Sequence, residues 1–290
     1  MSALLLLMLA QHAATPRSLE QQVREAISAA GAEAAVAYWT LDGRDALFVA
    51  ADDTFHAAST MKVPVMIELY AQARAGRLAL DDPLTVTNTF RSIVDGSPYG
   101  LDEKDDSDKT LYGAIGESRT LRELCRAMIV VSSNLATNLL IERLGVENIR
   151  RTVTRLGAHG MQVLRGVEDA KAFAQGRNNT TTARALLTLL ERLARGEAVD
   201  RASDAEMIDV LQAQTFAEGI PAGLPGGTRV AHKTGSITRI HHDAGIVYAP
   251  RPYVLVVLVR GLDDRTKSAE LIAAVSRLVY EAHASRRVSR

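Results

Sequence analysis

The chain reads as an α+β protein: one antiparallel sheet assembled from both ends of the sequence and flanked by helices, with an all-helical unit between its two halves. Three observations predict this. Strand-like runs rich in Val, Tyr, Trp and Ala occur early, at Glu33 to Leu41 and Ala46 to Ala50, and recur late at Arg229 to Lys233, Ala244 to Tyr248 and Tyr253 to Val259. Between them, apolar residues fall at helical spacing over Thr120 to Val130, Asn134 to Leu144, Val146 to Leu156 and Thr181 to Leu193. Amphipathic helical patterns also bracket the strands, one after Pro16 and one over Ser268 to His283. The expected division is therefore discontinuous, with residues 16–52 and 203–290 forming the sheet unit and 53–202 the helical one.

In chain order, the first feature is a short apolar run, Ala3 to Ala10. Its length is that of a signal-peptide core rather than a membrane span, so residues 1–15 are expected to be a leader and the protein periplasmic or secreted. No Lys or Arg precedes the run and no clean A-x-A cleavage site follows it. Leu19, Val23, Ala26 and Ile27 then share one helical face before Gly31 ends the run. Asp42-Gly43 is the turn between the two early strands. Helical spacing resumes from Ser59 to about Gly76, whereas Asp81 to Lys109 is polar and reads as loops, its acidic DEKDDSD run as a solvated one. Cys125, the only cysteine, excludes an internal disulfide and fits a buried helix position. Nowhere does an apolar run approach the roughly 18 residues of a transmembrane helix.

Basic and acidic residues both number 34, so no overall field favours nucleic acid or an anionic membrane. The sequence has no HExxH, CxxC or GxGxxG, and the adjacent His241 and His242 would diverge on a strand. No metal, no cofactor, no macromolecular partner and a monomeric state are expected. Arg239 reads as an exposed hairpin residue, the alternative being an arginine that reaches a substrate carboxylate; Tyr99 and Tyr112 are candidates to border a cleft.

Three short motifs carry chemistry. In HAASTMKVPVM, Ser59 and Lys62 are three apart and share a helical face, which suits a serine activated by an amine that burial keeps neutral; the bland reading is a helix start capped by Ser59. Ser132, Ser133 and Asn134 lie between two helical patterns, where Ser and Asn are also ordinary caps. His232, Lys233, Thr234, Gly235 and Ser236 end a strand-like run; on an edge strand such a set can hold a carboxylate while backbone groups pair with an extended substrate.

Ser-x-x-Lys, Ser-x-Asn and Lys-Thr-Gly in this order and context resemble the three motifs of serine beta-lactamases and penicillin-binding proteins. TLRELCRAMIVVSSNLATNLLIERLG is similar to the helix pair of class A enzymes, and NNTTTARALLTLLERL to the segment after their omega loop. The resemblance, to a class A beta-lactamase or class A-like serine hydrolase, implies the two-domain beta-lactamase/transpeptidase-like fold and a small beta-lactam substrate. It makes Ser59 the acylated nucleophile and Lys62 its proton acceptor or relay. Ser132 would pass a proton to the leaving nitrogen, and Asn134 would bind the substrate's side-chain amide. Lys233 and Thr234 would bind the substrate carboxylate, Gly235 would allow close backbone approach, and the Ser59 and Ser236 N–H groups would form the oxyanion site. A D-Ala-D-Ala peptidase or esterase, or a penicillin-binding relative without turnover, is the alternative.

In RGVEDAKAFAQGRNNTTT, Glu168 stands at the family's general-base position when counted from Asn134, but about two residues off when counted back from the threonines. Asp169 is the second carboxylate on offer. Ala172 replaces the family's usual asparagine, and Asn179 stands where an aspartate commonly ties the loop to an arginine, which would leave Arg165 without that partner.

Overall fold

The computed structural model describes residues 17–285, so the leader expected at residues 1–15 lies outside the described residues. Helix α1 (Leu19–Ala30) opens on a capping box in which Ser18 and Gln21 exchange hydrogen bonds, and stops at Gly31 in the left-handed region. Strands β1 (Glu33–Thr40) and β2 (Ala46–Val49) follow, joined through the expected turn at Asp42-Gly43, where the Gly43 N–H donates to Thr40 O.

The helix expected from Ser59 starts later. Ala58–Met61 is a 3₁₀ turn in which Ser59 caps nothing, and α2 runs Lys62–Arg74. The middle of the chain supplies α3 (Leu121–Val130), α4 (Asn134–Leu144), α5 (Val146–Arg155), the short α6 (Ala170–Ala174) and α7 (Ala183–Ala194), close to the spans read from periodicity. Helix α8 (Arg201–Gln212) was not legible in the sequence. Its inner face is Asp204, Met207 and Leu211, and the acid breaks the apolar pattern; folded, that carboxylate accepts the N–H groups of Ala198 and Val199. The chain ends with β3 (Val230–Ile237), β4 (Ile240–Val247), β5 (Tyr253–Arg260) and α9 (Arg265–Ser285).

The five strands form one antiparallel sheet in the order β2-β1-β5-β4-β3, which joins the two ends of the chain and leaves β3 at an edge. Strand β5 is buried on both faces, which is why its sequence is a continuous apolar run. Its residues alternate: Tyr253, Leu255, Val257 and Val259 pack with Val23 of α1 and Leu271, Ile272 and Val275 of α9. Val254, Val256 and Leu258 face the larger core shared with α2, α3, α4 and α7. The sheet is thus covered on both faces, and its edge strand β3 lies against the 3₁₀ turn at Ser59. Among the described residues no helix is long and apolar enough to cross a membrane.

The DEKDDSD segment departs from its expected solvation. Asp106 is only 4% exposed and Asp108 is also buried, because α4 begins directly above Asp106 and its first N–H groups need acceptors.

The 3₁₀ turn Ile220–Gly223 packs directly on α9: a Cβ on Gly223 would lie 2.2 Å from the Ala273 carbonyl oxygen and 2.7 Å from Ser276 Cβ. Gly223→Ala should therefore destabilise the fold by about 1–3 kcal/mol through overpacking, seen as a lower denaturant midpoint in equilibrium unfolding; an unchanged midpoint would show that the helix yields freely.

Candidate active site

Strand β3, the 3₁₀ turn and the turn before α4 converge on one place, bringing the three motifs together. Gly235 supplies the closest approach: a Cβ there would sit 3.0 Å from Ser59 N, 3.1 Å from Thr60 N and 3.2 Å from Ala58 Cβ. Any larger residue would push the strand away from the serine. Ser59 is half-buried, and the preceding Ala58 holds φ 45°, a strained value for a residue with a Cβ.

Lys62 is fully buried at the start of α2. Its Nζ donates to Ser132 O at 2.7 Å, Asn134 Oδ1 at 2.9 Å, Ser132 Oγ at 3.2 Å and Ser133 O at 3.4 Å, and not to Ser59 Oγ. Burial pulls its pKa down to about 7 against the opposing pull of the Asp106 and Glu168 carboxylates, so near neutrality the amine is poised between charged and neutral forms. Ser132 holds φ 61°, and this kinked turn aims its hydroxyl between two amines: Lys233 Nζ also donates to Ser132 Oγ, at 3.1 Å, and to Thr234 O at 2.9 Å. Burial, and then the neighbouring Lys62 charge, hold the Lys233 pKa well below its ordinary value. Thr234 and Ser236 alternate with Lys233 and Gly235 along the edge strand.

The loop carrying Glu168 is pinned from several sides. Asn138, one turn beyond Asn134 on α4, binds both backbone groups of Val167: its Oδ1 accepts from the N–H at 2.7 Å and its Nδ2 donates to the carbonyl at 3.0 Å. Tyr99 OH donates to the same carbonyl at 3.3 Å, so Tyr99 braces the loop. Glu168 itself is half-buried with φ 61°, and its Oε1 accepts from Asn134 Nδ2 at 2.7 Å. Burial raises its pKa, reinforced by Asp106 and Asp105 and partly offset by the Asn134 hydrogen bond. The Asn134 amide thus joins Lys62 on its oxygen side to Glu168 on its nitrogen side.

Asp169 turns the other way. It is buried, its Oδ1 accepts from Ser92 Oγ at 2.9 Å and Ala172 N at 3.0 Å, and its Oδ2 from Ile93 N at 2.9 Å. Burial raises its pKa, but these bonds and Arg165 outweigh it, and the net shift is downward. It caps α6 and ties the loop to residues 92–93. Nor is Arg165 left without partners. Its guanidinium donates to Arg177 O, Gly166 O and Asn178 Oδ1, each at 2.9 Å, while Asn179 Oδ1 accepts from Leu164 N and Arg165 N and its Nδ2 donates to Arg165 O. Neutral amides close the neck of the loop where the resemblance implies an aspartate–arginine pair.

Two contributors escaped the sequence reading. Asn138 sits at i+4 from Asn134, a spacing that marks a shared helical face and would have flagged it. Asp106 had no local signal, since what singles it out is the approach of α4. His241 and His242 do diverge: the His242 ring lies within hydrogen-bonding distance of His56 O and accepts from Val259 N, whereas the buried His241 makes neither contact.

Comparison with known proteins agrees with this architecture. A beta-lactamase of Bacillus licheniformis is 31% identical over 238 residues, spanning 80% of this chain and 73% of that one. An ancestral class A beta-lactamase, GNCA, superposes with a TM-score of 0.80 at 28% identity, covering 91% of this chain and 100% of that one. PBP-A superposes with a TM-score of 0.78 at 29% identity over 92% of this chain and 96% of its own. The α+β fold anticipated from the strand and helix order is the fold these proteins share. With the sequence pattern of the beta-lactamase enzyme family matching residues 18–283, on top of these likenesses, the chain belongs to the beta-lactamase enzyme family.

Proposed function

We propose that the protein is a serine beta-lactamase that opens the beta-lactam ring through an acyl-enzyme on Ser59. The observation that carries this reading is the single hydroxyl of Ser132 facing both Lys62 Nζ and Lys233 Nζ, beside a serine held against the edge strand at Gly235. The beta-lactam relatives named above support the substrate class.

In this mechanism neutral Lys62 takes the Ser59 proton as Oγ attacks the lactam carbonyl. The C–N bond breaks, and Ser132 Oγ hands a proton to the departing nitrogen, drawing a replacement from Lys62. The Ser59 and Ser236 N–H groups hold the oxyanion, each such donor being worth about 3 kcal/mol in related chemistry. Lys233 and Thr234 take the substrate carboxylate, whose negative charge favours the ammonium form of Lys233 against the burial that lowers its pKa. Asn134 positions the substrate's amide as well as Glu168. Glu168 then removes a proton from water as the water oxygen attacks the ester carbonyl; the bond to Ser59 Oγ breaks, and the proton held by Glu168 is returned to that oxygen, restoring the free serine. The raised pKa of Glu168 makes it a better base than a solvated carboxylate. We place the cleft between a sheet unit of residues 16–52 and 203–290 and a helical unit of 53–202, and assign the protein, on the Ala3–Ala10 run, to the periplasm or exterior, where it would confer beta-lactam resistance.

The test is turnover of a chromogenic cephalosporin with intact mass read in parallel. Steady hydrolysis, absent in Ser59→Ala, is the expected result; a stable adduct on the parent protein would instead identify a penicillin-binding relative, and neither adduct nor turnover would refute the assignment. Glu168→Gln should acylate and then stall, with deacylation slower by about 10²- to 10⁴-fold. Time-resolved mass spectra that show no accumulation would remove Glu168 from the base role.

The Lys62 pKa of about 7 sets a sign for the pH profile. The amine is neutral, and competent as a base, above that value and protonated below it. Pre-steady-state acylation should therefore level off above about pH 8 and fall about tenfold for each pH unit below about 6; a flat profile down to pH 5 would exclude neutral Lys62 as the acceptor.

A further inference from the structure

Helix α4 carries Asn134 at its first position, and an α-helix leaves its first N–H groups without internal acceptors. Here every one is accounted for. Ser133 Oγ accepts from Ala136 N and Ser133 O from Thr137 N, and the Asp106 carboxylate takes the rest: Asn134 N lies 3.0 and 2.9 Å from its two oxygens and Leu135 N 2.9 Å from Oδ2. Asp106 also accepts from Asp108 N at 3.1 Å and Tyr112 OH at 3.1 Å. It is a buried acid from a loop 28 residues away in sequence, seated at the start of the helix whose first side chain bridges Lys62 and Glu168.

We infer that Asp106 is a positioning residue for both half-reactions: its carboxylate fixes the backbone of Asn134, so that the Asn134 amide holds Lys62 on one side and Glu168 on the other, and it supplies a fixed negative charge to that cluster. The inference rests on the catalytic reading above. The kink at Ser132 supports it, because a turn held at φ 61° persists only where neighbouring contacts over-determine it, and the Asp106 clamp lies two residues on. The groups that face Lys62 are the Ser132 and Ser133 carbonyls, the Ser132 hydroxyl, the Asn134 amide, the amine of Lys233 across that hydroxyl, and the carboxylates of Glu168 and Asp106. Among these the two carboxylates favour the ammonium, and Asp106 is the stronger influence.

The test is an NMR titration of the Lys62 side chain in ligand-free protein, with pre-steady-state acylation followed over pH 5–9. Asp106→Asn keeps the shape but removes the charge, so the Lys62 midpoint and the acid limb of acylation should both move lower by about one pH unit. Asp106→Glu should restore much of both. An unmoved midpoint, with activity lost uniformly at every pH, would reduce Asp106 to a structural cap and overturn the inference. Should Asp106→Asn fail to fold, Tyr112→Phe tests the same link with opposite sign. It takes one hydrogen bond from the carboxylate, which leaves its charge less shielded and should raise the Lys62 midpoint; no movement there counts equally against the proposal. If the parent protein is never acylated, the proposed function fails, while the ligand-free titration still decides the role of Asp106.

Discussion

The structure depends on one buried amine. Lys62 lies with no solvent exposure at the junction of α2, the Ser132–Asn134 turn and the edge strand, and taking an ammonium group out of water is costly unless oxygen atoms replace its hydration. Its environment is a compromise between those demands. Two carbonyls, a hydroxyl and an amide oxygen surround Nζ, yet a pKa near 7 means that the charged form is disfavoured by roughly 5 kcal/mol relative to water. A site that satisfied the ammonium completely would keep it charged at neutral pH; one that ignored it could not keep the lysine in place.

The surrounding strain follows from that requirement. Ala58, Ser132 and Glu168 all have positive φ, and all three border the same cluster. Each bends the chain beside the Lys62 cluster, and each is held by neighbours: Ala58 by the close contact at Gly235, Ser132 by the start of α4, Glu168 by the Asn138 clasp on Val167. Outside the site Ala50 and Arg239 also hold positive φ, at the ends of β2 and β3, and a β5 core and capped helices supply the stability that tolerates all these positions.

The loop bearing Glu168 illustrates how one geometry can be reached with different chemistry. In place of an aspartate partner for Arg165, Asn178 and Asn179 close the neck with neutral hydrogen bonds, and Asp169 anchors the opposite side to Ser92 and Ile93. Such bonds are less sensitive to salt than exposed ion pairs. With the loop held in this way, Glu168 reaches Asn134.

By itself the sequence determined the order of elements, the joining of the chain's two ends in one sheet, and the three motifs, because hydrophobic periodicity, turn residues and short motifs are local properties. Ser59, Lys62, Ser132, Asn134, Lys233 and Gly235 were all legible in that way. Tertiary structure alone decided what depends on distant segments meeting. The solvated-looking acid Asp106 became a buried cap because α4 arrives above it; α8 formed around an acid that spoils its apolar pattern; and Lys62 found its hydrogen bonds on Ser132 and Asn134 rather than on the serine one turn away. Local spacing tells which side chains share a face. Only packing decides which of them lose their water, and that loss lowers the pKa of Lys62 and raises that of Glu168.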